Sequence, residues 1–475
     1  MEEKKVNYKS ASTYYFIGNI FNKGMSFLTV PIFTRILTTY DYGIVTTYNS
    51  YVAILTMVLG FALHSGIRIA YVDYKEKYDD YTSTQVFFTL VVSGSISSLI
   101  VAGAKLLNVD VSITLIALCL AHSLSAAIVQ DYSYYLMMKY RYKFRTAIMI
   151  LPNLVSVILS VLAVMFVCNT DLYMGRIVPT AIVNIGFGLM VIVLVFKKSR
   201  VLVNKEYLKY GLAYSVPLII HGIALNILSQ SDRMMITSLA DASQTGIYSL
   251  IYNFSMISTV ITTSLEGVWL PWFLQKMKER EIKAIGKMAE NYINLMTYVM
   301  VCLILVAPEV VKLLASKPYW EGISIIPPIV LANYVIFMYT LYVNVEHYYK
   351  KTPYITVNTI IAAAINLILN FIFIPKYGYV AAAYTTLVSY FLSFVLHARY
   401  AKKLEPDLYP IKTFFRPLAH IGITCVLFYS LINFWYARWI LAIAYFFAML
   451  FREKNIIIEL FPGIKNRLPM RKKNS

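Results

Sequence analysis

Apolar stretches of about 20 residues, the length an α-helix needs to cross a bilayer, alternate with short polar clusters along the chain. Cutting at those clusters predicts helices near 12–37, 43–67, 83–104, 112–135, 147–168, 176–196, 209–230, 246–271, 289–310, 324–349, 354–374, 379–399, 414–433 and 438–451. The expected architecture is an all-α integral membrane protein of about 14 transmembrane helices, or 12 if the last pair is misread. The first stretch follows basic residues, as a signal peptide would. It carries Asn19, Asn22 and Lys23 and runs past Leu37 without a convincing cleavage site, so it reads as the first membrane helix.

Composition sharpens this picture. Of 475 residues 59% are hydrophobic and 14% charged, and the mean hydropathy is +0.63, which excludes a water-soluble globule. Fourteen helices of about 22 residues use roughly 310 positions, and the remainder is too short for a sizeable second domain. The four cysteines, Cys119, Cys168, Cys302 and Cys425, stand singly in or at the ends of apolar segments, without metal-site spacing or disulfide clustering, and read as small buried hydrophobes.

The net charge of +19 would suggest nucleic acid in a soluble chain. In a membrane protein it serves instead as a topology map, and no nucleic-acid partner is expected. With the N-terminus inside, 139–145, 197–209, 276–287, 350–351 and the tail all face the cytoplasm. That side then holds roughly 33 of the 43 Lys and Arg, so both termini are expected to be cytoplasmic. External loops are short, the longest around Val311 to Gly322, leaving no room for the acid/base carboxylates and acceptor platform of a polymerase or glycosyltransferase. The sequence has no Walker A motif, no HExxH and no Gly-rich nucleotide loop. The expectation is therefore no enzyme and no bound cofactor or metal, leaving a channel or a secondary transporter.

A weak internal repeat organises the chain. TRILTTYDYGIVTTYNSY, with Gly43, is echoed about 203 residues later by TSLADASQTGIYSLIYNFS, with Gly246. Each copy follows a Pro-containing helix (Pro31, Pro217), and the pairs Tyr48-Asn49 and Tyr252-Asn253 look equivalent. Six spans between the copies make this a parallel repeat. It predicts an N-terminal lobe (1–208, helices 1–6), a C-terminal lobe (209–405, helices 7–12) around a central cavity, and an extra helix pair with a basic tail (406–475).

Polar residues inside the spans mark candidate sites, because each intramembrane charge requires a partner or a wet cavity. Asn19 and Lys23 share a face of the first helix and read as a cavity-facing cation site. His64 and Arg68 repeat that i, i+4 spacing near the cytoplasmic end of the second. His221, Asn226, Gln230 and Asp232-Arg233 follow on the seventh helix, the last pair at its external end, where each member should contact another segment. Asp131, Glu266 and Glu346, which precedes His347, are candidates for binding a coupling proton or sodium ion. Most of the 40 tyrosines are expected in interfacial belts, Tyr132, Tyr134, Tyr135, Tyr348 and Tyr349 among them.

Five segments together resemble a known family. Pro31-Ile-Phe-Thr-Arg-Ile-Leu with Tyr42-Gly43-Ile is similar to the first-helix signature of the polysaccharide (O-antigen and capsule repeat-unit) flippases of the multidrug, oligosaccharidyl-lipid and polysaccharide exporter superfamily. Tyr214-Ser-Val-Pro217-Leu, Asp232-Arg233, Gly246-Ile-Tyr-Ser and Ile374-Pro-Lys-Tyr-Gly378 look like that family's second half. The resemblance implies a multi-pass protein of the bacterial plasma membrane that moves an undecaprenyl-pyrophosphate-linked oligosaccharide outward by alternating access, driven by an ion gradient, beside a polysaccharide polymerase and a chain-length regulator. It carries over Arg35 as the first-helix arginine and Asp232-Arg233 as the seventh-helix pair, the latter for coupling or gating. A cationic cavity suits the pyrophosphate. Moving about two negative charges outward across 100 mV is favourable by roughly 4–5 kcal/mol. The arginine-aspartate cluster associated with the peptidoglycan-precursor flippase is not present. A cation-coupled drug or small-molecule exporter of the same fold, a peptidoglycan or teichoic-acid precursor flippase, and a scaffold for the synthesis machinery are the alternatives.

Overall fold

The computed structural model describes residues 21, 24–25, 27–410 and 412–452, and every regular element among them is helical. A short helix α1 (Phe27–Ile36) precedes α2 (Thr39–Leu59), α3 (Leu63–Asp73), α4 (Tyr78–Leu106), α5 (Ile113–Met138), α6 (Tyr142–Phe166) and α7 (Leu172–Lys198). Then follow α8 (Lys205–Leu239), α9 (Ala242–Lys278), α10 (Ile282–Leu314), α11 (Ile326–Tyr348), α12 (Thr352–Leu404), α13 (Lys412–Ser430) and α14 (Trp435–Arg452). Among the described residues eight helices are long and apolar enough to cross a membrane, or nine counting α8, which bends by 43° between Val216 and Leu218.

Two details depart from the pattern read in the sequence. The second stretch is two helices: α2 stops at Leu59, Phe61 and Ala62 take left-handed φ of 49°, and α3 restarts at Leu63. Hydropathy cannot see this break, because Gly60-Phe61-Ala62 is as apolar as its flanks. The freed groups are satisfied from other helices. Ser93 of α4 donates to the Leu59 carbonyl, and Asp131 of α5 accepts the backbone N–H of His64 at the start of α3. Second, α8 continues to Leu239, so Asp232-Arg233 lie inside a helix and not at its end. The stretches 354–374 and 379–399 agree with the reading: they are two helices, the two parts of α12, that meet at a kink at Gly378, whose φ of 58° only glycine adopts without strain.

The helices group into two compact units. One comprises Met1–Asn253, Leu314–Tyr319 and Thr356–Ser389. The other comprises Phe254–Leu313, Trp320–Ile355 and Tyr390–Ser475. The first has a core rich in tyrosine, in which Tyr78, Tyr81, Tyr132, Tyr135 and Tyr207 surround Ile67, Ile128 and Val195. Tyr132 and Tyr135 are thus core residues rather than interfacial ones. They stack at 5.3 Å, and the Tyr135 hydroxyl donates to Asp79 and accepts from Lys198. The rings fill the interior while one hydroxyl reaches the charged helix ends, which is the amphipathic use of tyrosine one layer further inward.

Candidate functional site

The repeat seen in the sequence closes on itself in the first unit. Helices α2 and α9 begin at Thr39 and Ala242, repeat mates at the 203-residue offset. A Cβ on Gly43 would overlap the carbonyl oxygen of Ala242, and one on Gly246 would overlap that of Thr39. Both backbones therefore cross at a distance only glycine permits. Ser249 Oγ donates to Thr46 Oγ1 at 3.0 Å, again across 203 positions. A residue touches its own repeat mate only where a two-fold axis passes between them, so the pseudo-axis runs between Thr46 and Ser249.

The capping contacts obey the same symmetry. Asp41 forms a capping box with Thr38 and accepts the Tyr173 N–H at the start of α7 (3.1 Å). Its mate Gln244 accepts the Tyr379 N–H just past the break in α12 (3.0 Å). Hydroxyls of Thr47, Thr237 and Thr245 form a chain across the crossing (2.6 and 2.7 Å). The Tyr-Asn pairs are not mates, being one residue out of this register. Tyr48 contacts His122, whereas Asn253 donates to the Tyr42 hydroxyl.

Beside the crossing lies a fully buried carboxylate. Asp232 Oδ2 accepts from the Tyr248 hydroxyl (2.6 Å) and from Thr386 Oγ1 (2.7 Å), and Oδ1 accepts from Asn370 Nδ2 (2.7 Å). All three partners are neutral. Thr385 donates to Asn370 Oδ1, and Ser231 and Asn370 both donate to Asn366 Oδ1 (3.2 and 3.3 Å). The two carboxylate oxygens thus accept from two hydroxyls and one amide N–H supplied by α9 and α12, and a proton taken up by the carboxyl would have to displace one of these donors. Hydrogen bonding alone offsets only part of the several kcal/mol that burying an unpaired carboxylate costs.

The neighbouring residue faces elsewhere, as expected for adjacent helical positions. Arg233 is buried, donates to the Ser229 carbonyl (3.0 Å) and to Gln230 (3.4 Å), and lies 4.4 Å from the Tyr252 ring centre. A second guanidinium, Arg176 of α7, lies 4.2 Å over the Phe33 ring and donates to Ser160 Oγ (3.1 Å). Both arginines lie within electrostatic reach of the Tyr42 hydroxyl. Arg176 escaped notice in the sequence because it opens a predicted helix, where a cation reads as interfacial.

The other candidates are dispersed. Asn19 and Lys23 lie outside the described residues. Arg35 and Arg68 are exposed. His64 is half-buried and stacks on Tyr134 at 5.1 Å, while His221 is half-buried on α8. Asp131 is buried at the α2/α3 break, one of its oxygens without a hydrogen-bond partner. In the second unit the fully buried Glu346 pairs with His397 Nδ1 (2.9 and 3.0 Å), and Tyr339 stacks on that imidazole. His397 was missed because its partner lies 51 residues away. Glu266 is half-buried and lines a recess. Arg438 bonds to Glu309, which also accepts from Trp439 (3.2 Å), and so ties α14 to α10.

Comparison with known proteins places this arrangement. The fold is similar to that of the lipid II flippase MurJ in an inward closed conformation, with a TM-score of 0.70 and 16% identity over 94% of this chain and 99% of that one. It is also similar to multidrug resistance MATE family transporters of the MOP superfamily. An inward-facing one gives a TM-score of 0.57 at 12% identity, covering 83% of this chain and 99% of that one. An outward-facing one gives 0.53 at 13%, covering 84% and 96%. No curated protein sequence matches significantly. The chain therefore shares the fold of these transporters, and with its long apolar helices it is a multi-pass membrane protein. A family model described as "Polysaccharide biosynthesis protein" matches residues 10–277, a range that holds both copies of the repeat, the Gly43/Gly246 crossing and the Asp232-Arg233 pair. On that match the chain belongs to the polysaccharide biosynthesis protein family.

Proposed function

We propose that this protein is a secondary-transport flippase that carries undecaprenyl-pyrophosphate-linked oligosaccharide repeat units to the outer leaflet of the bacterial plasma membrane for O-antigen or capsule synthesis. In this reading it has fourteen spans in two lobes (1–208 and 209–405), an added pair with a basic tail (406–475), and cytoplasmic termini. The observation that carries it is the symmetric crossing of α2 and α9 beside a buried carboxylate with only neutral partners. With the termini inside, that crossing lies at the external end of both repeats and acts as the external gate, closed here by interlocked backbones.

Asp232 and Arg233 connect the ion to the gate. A proton or sodium ion arriving at Asp232 competes for the oxygens that hold Tyr248, a residue of the gate helix α9. Arg233, one position on, faces Tyr252 on the same helix and, with Arg176, supplies positive charge near Tyr42 for a passing pyrophosphate. Asn19, Lys23, Arg35, His64 and Arg68 are further substrate-binding residues of the N-terminal lobe in this reading. Ion binding thus biases an element with two packings, which is what alternating access requires.

The test is translocation of a fluorescent undecaprenyl-pyrophosphate oligosaccharide in liposomes containing the purified protein, with proton or sodium gradients imposed. Gradient-dependent movement of this lipid supports the reading and names the ion. Movement of lipid II instead would make the protein a peptidoglycan-precursor flippase. Efflux of soluble cationic drugs with no lipid movement would make it a drug exporter.

A further inference from the structure

In the second unit, Glu346 of α11 and His397 of α12 form a pair enclosed by the helix packing. The imidazole Nδ1 lies 2.9 and 3.0 Å from the two carboxylate oxygens, and the side chains are 0% and 2% exposed. Tyr339 stacks on the imidazole at 5.6 Å and Tyr390 on Tyr339 at 6.3 Å, which fixes the ring against the carboxylate. The Arg438–Glu309 pair of the same unit shows the contrast. A guanidinium stays charged at any working pH, so that pair is a permanent staple. An imidazole gains and loses its proton between about pH 5 and 8, so the Glu346–His397 pair has two charge states.

The two states pack differently. With the proton, imidazolium and carboxylate neutralise each other and hold α11 against α12. Without it, a net negative charge is left among buried rings, a costly arrangement that is relieved when the helices part and water enters. The charges at the ends of these helices are engaged with each other: Arg280 pairs with Glu405 at 3.0 Å, and the Tyr349 hydroxyl donates to the same carboxylate at 2.6 Å. His347, which follows Glu346, is exposed and lies within electrostatic reach of both members, so a titratable group connects the pair to the surface. We propose that Glu346 and His397 form a proton-binding site of the transport cycle, a clasp between α11 and α12 that is shut when it holds a proton and loosened when it releases one to His347 or water. The site is additional to Asp232, and its place in a cycle rests on the flippase reading. With the termini inside, it lies toward the cytoplasmic ends of both helices, where an inward-moving proton is released.

The first test needs no cargo. The chain has six histidines, and NMR of the full chain in nanodiscs with isotope-labelled histidine follows each imidazole, His397→Gln identifying the resonance of His397. That resonance should titrate by one proton between about pH 5 and 8 in the wild type and stay neutral throughout in Glu346→Gln. The second test is translocation of the lipid-linked oligosaccharide in liposomes. A gradient of about one pH unit biases a one-proton step about ten-fold. The wild type should show at least that bias, and Glu346→Leu combined with His397→Leu should show none. This double variant keeps an apolar contact between the helices, which preserves stability if packing is all the pair supplies. The exchanged pair, Glu346→His with His397→Glu, should regain part of the bias. A His397 resonance that does not titrate, or a proton bias retained by the leucine variant, would overturn the site, and the titration decides the case should that variant fail to insert. Wild-type transport that answers to sodium alone would overturn the site and leave the flippase standing. A titrating His397, with a proton bias that needs the pair in a protein moving a different cargo, would keep the site and overturn the flippase.

Discussion

Helices α2 and α9 start as mates and end as strangers. Both open at the same repeat position, both place a glycine where the partner backbone passes, and both send one side chain to cap a distant helix start. Beyond the crossing, α2 stops after 21 residues and breaks at Gly60-Phe61-Ala62, whereas α9 runs for 37 residues to Lys278. The shared ends serve what both copies do together, which is to pack backbone against backbone. The divergent continuations serve what each does alone. One exposes the start of α3 to Asp131, and the other carries Glu266 and Trp269 to the recess in the second unit.

The symmetric half of this comparison breaks most easily at its glycines. Gly43→Val would force a branched side chain into the Ala242 carbonyl. Backbone cannot yield as a side-chain tip can, so the expected cost reaches or exceeds the upper end of the usual 1–3 kcal/mol for overpacking. Translocation should be lost while the protein still inserts, measured by liposome assay and membrane fractionation. Gly246→Val should behave alike, and unequal effects would break the symmetry argument.

The asymmetric half is tested at the break. Asp131→Leu removes the cap of α3 and should destabilise by about 1–3 kcal/mol, while Asp131→Asn retains an acceptor for the His64 N–H and should cost under about 1 kcal/mol. Thermal unfolding in detergent reads the difference. A smaller shift is expected from Asp232→Asn, which keeps shape and most hydrogen bonds. Its signature is functional: translocation loses its dependence on the imposed ion gradient while the unfolding temperature changes little. The smallest effect sharpens the axis itself. A double-mutant cycle of Thr46→Val and Ser249→Ala should yield a coupling of about 0.5–1.5 kcal/mol in unfolding free energy.

How much of this was legible in the sequence depends on what each feature leaves in the pattern. Helix positions were legible because membrane solvation writes twenty-residue apolar stretches. The repeat was legible through Gly43 and Gly246, since close backbone approach leaves a residue type behind. Asp232-Arg233 stood out because charge inside a span is rare, and their divergent contacts followed from helical geometry. What surrounds Asp232 did not, because Asn366, Asn370, Thr385 and Thr386 are ordinary polar residues more than 130 positions away, and only packing makes them a set. The break in α2 was silent for a related reason, its polar compensation coming from Ser93 and Asp131 on other helices. Arg176 and His397 were hidden at a helix start and in a basic-looking terminus, where position offered a simpler explanation than partnership.

The central claim is that the Thr46–Ser249 crossing is a gate that must part for cargo to leave. It is tested most directly by T46C/S249C in a background whose four native cysteines are replaced, oxidised to a disulfide in liposomes and then assayed for translocation of the lipid-linked oligosaccharide. The account predicts that the oxidised protein is inactive and that reduction restores transport to the level of the unlocked protein. Undiminished transport with the disulfide formed would mean that the crossing is a fixed hinge, and the gate would have to be sought elsewhere.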